Sequence, residues 1–253
     1  MSDYFFWNRK TIDNFSETAV NTAYNQGYVF TRRGKGAMDQ TRSLRIDLSK
    51  FEQSSENRRI LRKIGFSPLL PFPIPFSEYQ WYIGKMAKDF YETKFGKGTF
   101  STNKTKELLT DEKKSNFNKV FVYTDQWDHD EWGKTWKNNG IEADGFAICY
   151  ENNTLIHYSY PFYRLTWLER VFNPNFGMGM MIKAIIWAKE QGKKYIYLGS
   201  ATRPGDVYKL QFEGLEWFDG EKWQTNIVKL KDILSSKLDN DVQKLIANGN
   251  KLR

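Results

Sequence analysis

A glycine turn followed by a helix and a strand constrains this chain more than any other stretch. Residues 172–199 read FNPNFGMGMMIKAIIWAKEQGKKYIYLG. The Gly-x-Gly turn begins an apolar helical pattern that ends at Gly192, and an alternating strand pattern follows it. Backbone N–H groups at such a turn favour an anionic ligand, so a nucleotide, a pantetheine pyrophosphate and the end of a tRNA are all candidates.

Three strands are predicted before this turn, over KVFVYT, DGFAICYE and TLIHYSY, and Asn152-Asn153 is a good hairpin turn between the last two. Antiparallel strands, a glycine turn, a helix and a crossover strand follow one another in GNAT-like acyltransferases. We therefore predict an α+β fold with a GNAT-like mixed sheet. The usual acyl-CoA signature has Gln or Arg three residues before the first glycine, whereas this chain has Pro174 there.

A proline-rich stretch predicts how the chain is divided. Four prolines fall within PLLPFPIP, residues 68–75, and they cannot continue a helix or a central strand. We expect a smaller basic α+β lobe over residues 1–67, a stiff connector over residues 68–76 and the GNAT-like domain over residues 77–253.

The positive charge of the chain is partly local. Lys and Arg number 38 against 30 Asp and Glu, which gives a net charge of +8, and residues 28–65 hold ten basic and four acidic residues. Such a cluster indicates a polyanionic partner, although a solvated basic face is the plain alternative. In the same segment, Ser54 or Ser55 is predicted to cap a short basic helix.

Several site classes are disfavoured. Cys149 is the one cysteine, which excludes intrachain disulfides and multi-cysteine metal sites. The acidic stretch DQWDHDEW, residues 125–132, has a single imidazole, so we expect an acidic loop and no metal site there. His157 alternates within TLIHYSY and is expected to be a strand residue. The first ten residues lack a signal-peptide pattern, no stretch is apolar enough to span a membrane, and we expect a cytoplasmic protein.

An ordered set of motifs resembles the arginyl-tRNA–protein transferase family, whose bacterial branch includes leucyl-transferring enzymes. GYVFTRRGK and RSLRIDLSKFEQSSENRRILRK are similar to its Gly-aromatic-Arg-Arg turn and the basic segment that follows. FNPNFGMG resembles its D-P-D-aromatic stretch. YIYLGSATRPGDVYKLQFEGLEWFDGEKW resembles its Y-x-Y-L-G, Y-K-x-x-F-x-P-L-E and D-G-x-W. The matches are collinear and cover about two thirds of the chain.

The chain departs from this family in three places. The family has an N-terminal cysteine cluster, whereas GAMDQTRS stands at the Cys-x-x-Cys position here, so no iron–sulfur cluster and no other cofactor is expected. Asn173 and Asn175 replace the two aspartates of D-P-D. Gly205 and Asp206 replace the family's K-M before Y-K.

The resemblance implies transfer of an amino acid from aminoacyl-tRNA to the N-terminal α-amine of a protein or to a related amine, as in N-end rule protein degradation. Its partners would be aminoacyl-tRNA and a protein or peptide N-terminus, without a membrane. The residues implied are Tyr208, Lys209, Asn173 and Asn175 for catalysis, Gly177, Gly179, Tyr197 and Gly199 for the donor, and Arg32, Arg33, Arg58 and Arg59 for tRNA or the acceptor.

Two other functions stay open at this stage. One is an acyl-CoA-dependent GNAT N-acyltransferase, which the proline before the glycine turn disfavours. The other is a non-catalytic descendant that binds tRNA or a protein N-terminus, which the change from aspartate to asparagine favours. Several implied residues also have plain structural explanations: Tyr208 as a cross-strand aromatic, Lys209 as a surface lysine, the arginines as a solvated face and the asparagines as turn residues.

Overall fold

The computed structural model describes residues 5–64, 68–124, 143–165 and 175–235. The helices are α1 (Glu17–Asn25), α2 (Ser55–Lys63), α3 (Trp81–Phe95), α4 (Thr102–Thr110), α5 (Phe176–Glu190) and α6 (Ile227–Ser235), and a 3₁₀ helix spans Pro204–Gln211. The strands are β1 (Asn8–Thr11), β2 (Tyr28–Phe30), β3 (Ala37–Gln40), β4 (Ser43–Asp47), β5 (Leu69–Pro73), β6 (Lys119–Tyr123), β7 (Gly145–Glu151), β8 (Leu155–Tyr163), β9 (Tyr195–Ser200), β10 (Leu215–Phe218) and β11 (Trp223–Gln224).

The strands form one small and one large sheet. The small sheet has the order β1-β3-β2, and the large sheet has the order β11-β10-β4-β9-β8-β7-β6-β5. The large sheet is mixed because β8 and β9 run parallel, whereas β4 is antiparallel to β9 and β6 is antiparallel to β7. Helix α5 lies in sequence between the two parallel strands, as a crossover connection requires. The predicted α+β class with a mixed sheet is confirmed.

The chain divides into two compact units that interleave in sequence. The first, here called the terminal unit, contains residues 5–52, 152–157 and 192–235 of the described chain. The second, the central unit, contains the described residues between 53 and 151 and between 158 and 191. In the terminal unit the N-terminal segment pairs with strands from the end of the chain. The division expected at residues 67 and 77 stays a prediction.

Strand β4 shows why the terminal unit is assembled this way. It pairs with β9 on one side and with β10 on the other, so it is an interior strand of the large sheet. Leu44 and Ile46 are fully buried, and Arg45 is 7% exposed although its charge suggested a solvent-facing position. The Arg45 Nε donates to the Glu216 carboxylate at 2.7 Å, which compensates the charge inside the sheet.

The proline-rich stretch is a strand as well as a connection. β5 pairs with β6 along five residues, with Pro71 opposite Phe121 and Pro73 opposite Lys119. It lies at the end of the large sheet, where one side needs no ladder partner, and this position tolerates the missing N–H groups of proline. The exclusion of a central strand agrees with this edge position, and the stiff connector over residues 68–76 stays a prediction.

None of the helices in the described ranges combines the length and the apolar character that crossing a bilayer requires.

Candidate functional site

The first turn of α5 carries the two glycines of the Gly-x-Gly motif. Asn175 is the N-cap residue, its side chain makes no capping hydrogen bond, and its carbonyl oxygen accepts from the Gly179 N–H at 2.8 Å. N–H groups at a helix start have no partner within the helix, so they can serve an anion or a developing oxyanion. Asn173 and Pro174 lie outside the described residues.

Gly177 lies under the ring of Tyr163, the last residue of β8. A Cβ atom at Gly177 would be 2.8 Å from Tyr163 Cε1 and 3.2 Å from its hydroxyl oxygen. The ring is held by Phe90 and Phe176, at centroid distances of 4.7 and 5.4 Å. The close approach of this tyrosine therefore explains why a residue without a side chain occupies position 177.

Gly179 lets helix α2 pack closely on α5. A Cβ atom at this position would overlap Cδ1 of Ile64, the C-cap residue of α2, and would lie 3.0 Å from its Cγ2. The buried face of α2 also includes Asn57 and Ile60. The second glycine is thus required by a helix–helix contact, and that contact fixes a basic helix beside the helix that begins at the glycine turn.

Helix α2 is short, basic and well capped. The Ser54 hydroxyl accepts from the Asn57 N–H at 3.1 Å, and the Asn57 side chain accepts in return from the Ser54 N–H at 3.3 Å. Of the two predicted caps, Ser54 and Ser55, the structure has Ser54. Arg59 makes two hydrogen bonds to the Glu56 carboxylate, at 2.6 and 2.5 Å, across an exposed ion pair. Arg58 is exposed and donates to the carbonyl oxygen of Gln53. The two arginines therefore differ, because a carboxylate already binds Arg59.

The motif YIYLGS forms strand β9 in the terminal unit. Tyr197 is fully buried, its ring contacts Tyr24 and Trp223 edge-on, and its hydroxyl lies 3.4 Å from Nη1 of Arg45. Burial raises the pKa of Tyr197 to about 12, although Arg45 acts in the opposite direction. We therefore expect Tyr197 to position this strand rather than to touch a donor.

Gly199 has a different environment from its buried neighbour. Its φ is +76°, which an L side chain adopts only with strain, and a Cβ atom there would have no other atom within 4 Å. Backbone conformation, rather than packing, accounts for this glycine. The open space beside it is compatible with a bound group.

Lys209 lies on the 3₁₀ helix after β9 and is held by two oxygens. Its Nζ donates to the carbonyl oxygen of Ser200 at 2.9 Å and lies 3.4 Å from Oδ1 of Asp206. The other carboxylate oxygen of Asp206 accepts from the N–H groups of Thr202 and Arg203, at 3.0 and 2.9 Å. One aspartate therefore shapes the loop after β9 and also restrains the lysine.

Tyr208 faces solvent beside this lysine, with 46% of its surface exposed. The Lys209 ammonium lies 5.7 Å from the centroid of the Tyr208 ring. The loop thus presents a phenol that is accessible to a ligand, whereas the neighbouring ammonium is largely enclosed by the protein.

Arg32 and Arg33 occupy the turn between β2 and β3. Arg33 is exposed and pairs with the buried carboxylate of Asp39, while Arg32 is half-buried. Gly36, with φ at +77°, completes this turn, and its carbonyl oxygen accepts from the Ile12 N–H at 3.0 Å. The turn is therefore fixed to the chain before α1.

The implied residues fall into one group in each unit. In the central unit, Gly177 and Gly179 lie on a helix that packs against the helix bearing Arg58 and Arg59. In the terminal unit, Lys209 contacts the end of β9, where Tyr197 and Gly199 lie. Tyr208 follows in the same loop. Arg32 and Arg33 belong to the small sheet of that unit.

Sequence reasoning missed several residues that shape these groups. They are Ile64 and Tyr163 against the glycines, Asp206 beside the lysine, Asp39 beside Arg33, and Arg45 beside Tyr197. Asp206 was the one with a usable signal, because an acidic residue three positions before a lysine on a helix is an ordinary pair spacing. Ile64, Tyr163 and Arg45 act through contacts with other segments of the chain, and Asp39 acts across the turn between β2 and β3.

The described residues contain no group of three or more His, Cys, Asp or Glu side chains that could bind a metal ion. The acidic stretch at residues 125–132 lies outside the described ranges, so that prediction stands as it was made. His157 is a buried strand residue of β8, and its Nδ1 lies 3.0 Å from the Tyr24 hydroxyl.

Comparison with known proteins gives distant structural similarities. No family model and no curated protein matches the chain. L-PGS from Bacillus licheniformis is 15% identical, with 87% of this chain and 71% of that chain covered and a TM-score of 0.41. FemX is 11% identical, with 76% and 61% covered and a TM-score of 0.39.

A third similar structure is the C-terminal domain (DUF2156) of a putative lysylphosphatidylglycerol synthetase from Agrobacterium fabrum. It is 12% identical, with 77% of this chain and 55% of that chain covered and a TM-score of 0.38. The chain thus spans less than two thirds of the second and third structures.

Proposed function

We propose that this protein transfers an amino acid from an aminoacyl-tRNA to an amine, with the α-amine of a protein N-terminus as the acceptor. The observation that carries the proposal is the contact of Ile64 with Gly179. Through it, a helix with four cations, Arg58, Arg59, Arg62 and Lys63, packs on the helix that begins at the glycine turn. A tRNA donor needs both features, a local site for its aminoacyl end and positive charge for its phosphates.

The ordered motifs support the same proposal. They follow the arginyl-tRNA–protein transferase family from the Arg32-Arg33 turn to the Asp219-Gly220 turn, in one order along the chain. The proline three residues before Gly177 does not fit the usual acyl-CoA signature. Together these points favour a tRNA donor over a CoA thioester.

The reaction makes modest demands on side-chain chemistry. The acceptor nitrogen forms a bond to the ester carbonyl carbon, the bond from that carbon to the ribose oxygen breaks, and the proton lost by the amine ends on the ribose oxygen. An α-ammonium titrates near about 8, so a weak base or water is sufficient to free the nucleophile. Alignment of the two substrates can then supply an effective molarity of about 10⁵ M or more.

Each group has a role in this proposal. The backbone N–H groups at the start of α5 bind a phosphate of the donor. Tyr208 or Lys209 delivers a proton to the departing ribose oxygen. Arg58 and Arg59 bind phosphates of the tRNA body.

A transfer assay tests the proposal directly. Purified protein is incubated with radiolabelled aminoacyl-tRNAs and with reporter peptides that begin with Asp, Glu, Lys or Arg, and N-acetylated copies of the same peptides are the matched control. We expect label in at least one free-amine peptide and none in its acetylated copy, because the acetylated nitrogen is not nucleophilic.

The other outcomes each point to a different function. Tight saturable binding of acetyl-CoA, without binding of aminoacyl-tRNA, would replace the proposal with an acyl-CoA-dependent N-acyltransferase. Binding of tRNA without any label transfer would indicate a non-catalytic tRNA-binding protein.

A further inference from the structure

The small sheet carries two arginines that share one buried carboxylate. Asp39 lies in the middle strand β3, directly opposite Arg9 of β1, and the side chains of paired residues share one face. Arg9 Nε lies 3.4 Å from Asp39 Oδ1, and Nη2 of Arg33 bonds the same oxygen. The aspartate side chain is 6% exposed, whereas those of Arg9 and Arg33 are 51% and 40% exposed.

The charges of this trio do not cancel. One carboxylate neutralises one guanidinium, so Arg9, Asp39 and Arg33 together carry one positive charge in excess. Each guanidinium has five N–H donors, and Asp39 has a single carboxylate to offer both of them. The half-exposed arginines therefore present donors and charge to solvent from a fixed position.

Both arginines are held before any ligand arrives. The Arg9 guanidinium lies 3.6 Å from the centroid of the Phe6 ring, which fixes its plane in addition to the ion pair. Arg33 is part of the turn that Gly36 ties to Ile12. A guanidinium with a fixed plane loses less side-chain entropy on binding, and its geometry matches the oxygens of a phosphate.

We infer that Arg9 and Arg33, bridged by Asp39, form a binding site for a phosphodiester of the RNA backbone. The excess charge of one matches a single phosphodiester, and Arg32 and Lys35 in the same turn extend the positive surface. A polyanion with regularly spaced charges fits this series of cations better than one acidic side chain does. The inference rests on the proposed use of aminoacyl-tRNA and adds a contact in the terminal unit.

Strand β1 supplies a matched control. Lys10 follows Arg9 but pairs with Met38, so it lies on the opposite face of the small sheet, where its Nζ is 3.9 Å from the centroid of the Tyr28 ring. Arg9→Gln and Lys10→Gln each remove one positive charge from adjacent positions. A difference between them cannot come from net charge.

The experiment measures the affinity of uncharged tRNA as a function of salt for wild type, Arg9→Gln, Lys10→Gln and the double variant Arg9→Gln with Arg33→Gln. Glutamine retains a donor for Asp39, which favours folding. We expect about a tenfold loss of affinity at low salt and a log–log salt slope that is flatter by about one in the double variant. Lys10→Gln should stay within about twofold of wild type. If the double variant does not fold, the comparison of tRNA affinity between Arg9→Gln and Lys10→Gln tests the inference.

The outcomes separate this inference from the proposed function. Unchanged tRNA affinity in the double variant, with transfer retained, would overturn the inference and leave the proposed function intact. Lost affinity for acidic reporter peptides, with tRNA binding unchanged, would reassign the arginines to the acceptor and also overturn it. A wild type that binds no tRNA would overturn both. If the wild type transfers nothing but the double variant binds tRNA less tightly, the result would support this inference and not the proposed function.

Discussion

The Lys209 ammonium donates a hydrogen bond to the carbonyl oxygen of Ser200 at 2.9 Å, at the end of β9. The lysine therefore has a fixed position in the loop after the strand. A fixed ammonium suits the role proposed for it at the departing ribose oxygen, and it equally suits a phosphate contact.

Replacing this lysine tests that role. Lys209→Met removes the ammonium at similar side-chain length, and we expect the transfer rate to fall by about 10²–10⁴-fold with tRNA affinity within a few-fold of wild type. Single-turnover transfer and tRNA binding are the two measurements. Lys231→Met, an exposed position on α6, is the control and should change neither. Equal transfer by the two variants would leave Lys209 with a structural role only.

The contact between Gly179 and Ile64 should appear as an energetic coupling. We expect Gly179→Val to lower the free energy of unfolding by about 1–3 kcal/mol, because the new methyl groups overlap a packed side chain. Ile64→Ala in the same protein should recover part of this loss by making room. Urea unfolding of the two single variants and the double variant measures the coupling, and strictly additive losses would show that the two side chains do not compete for space.

The two arginines of α2 should contribute unequally to tRNA binding. Arg59 already binds Glu56 through two hydrogen bonds, so we expect Arg58→Gln to weaken tRNA affinity more than Arg59→Gln does. Both variants should flatten the salt dependence if the side chains contact phosphates. Lys88→Gln on α3 of the same unit is the control for net charge. A loss that is equal in all three variants would mean that only the overall charge matters.

Burial of His157 should make stability depend on pH. Burial lowers the pKa of this imidazole from 6.5 to about 3, so the folded protein keeps it neutral while the unfolded chain binds a proton below about 6.5. Stability from this group is present above pH 6.5 and is lost as the pH falls toward 3, by up to about 1.4 kcal/mol per pH unit. Chemical denaturation across this range is the measurement.

His157→Gln supplies the comparison for this effect. The variant has no titrating group at this position and should lose less stability on acidification than wild type does, whatever its stability at neutral pH. Parallel pH profiles for the two proteins would show that the imidazole does not resist protonation in the fold.

Local sequence patterns predicted the helices and strands of this fold better than they predicted which elements pack against each other. The helix after the Gly-x-Gly turn, the three strands before it and the capping of α2 all follow from periodicity and end signals. The reasons for Gly177 and Gly179 were out of reach, because Tyr163 and Ile64 come from other segments. A glycine pattern alone cannot separate close packing from ligand approach.

Strand β4 shows that the sequence likewise does not reveal which charged residues face solvent. A charged side chain ordinarily faces solvent, whereas this strand is interior and Arg45 bonds Glu216, 171 residues further along the chain. Arg42 and Arg45 were both counted in the basic cluster, yet both are buried. The count of basic residues in this segment therefore overstates its surface charge, and only tertiary structure reveals which cations face solvent.

The interior position of β4 also has a consequence for biosynthesis. Its two ladder partners are residues 195–200 and 215–218, so the terminal unit is completed only after most of the chain has left the ribosome. Contacts with such long sequence separation slow folding, and an early strand with open ladders is prone to pair wrongly. Truncations that remove β9 and β10 should therefore abolish folding of the N-terminal segment as well.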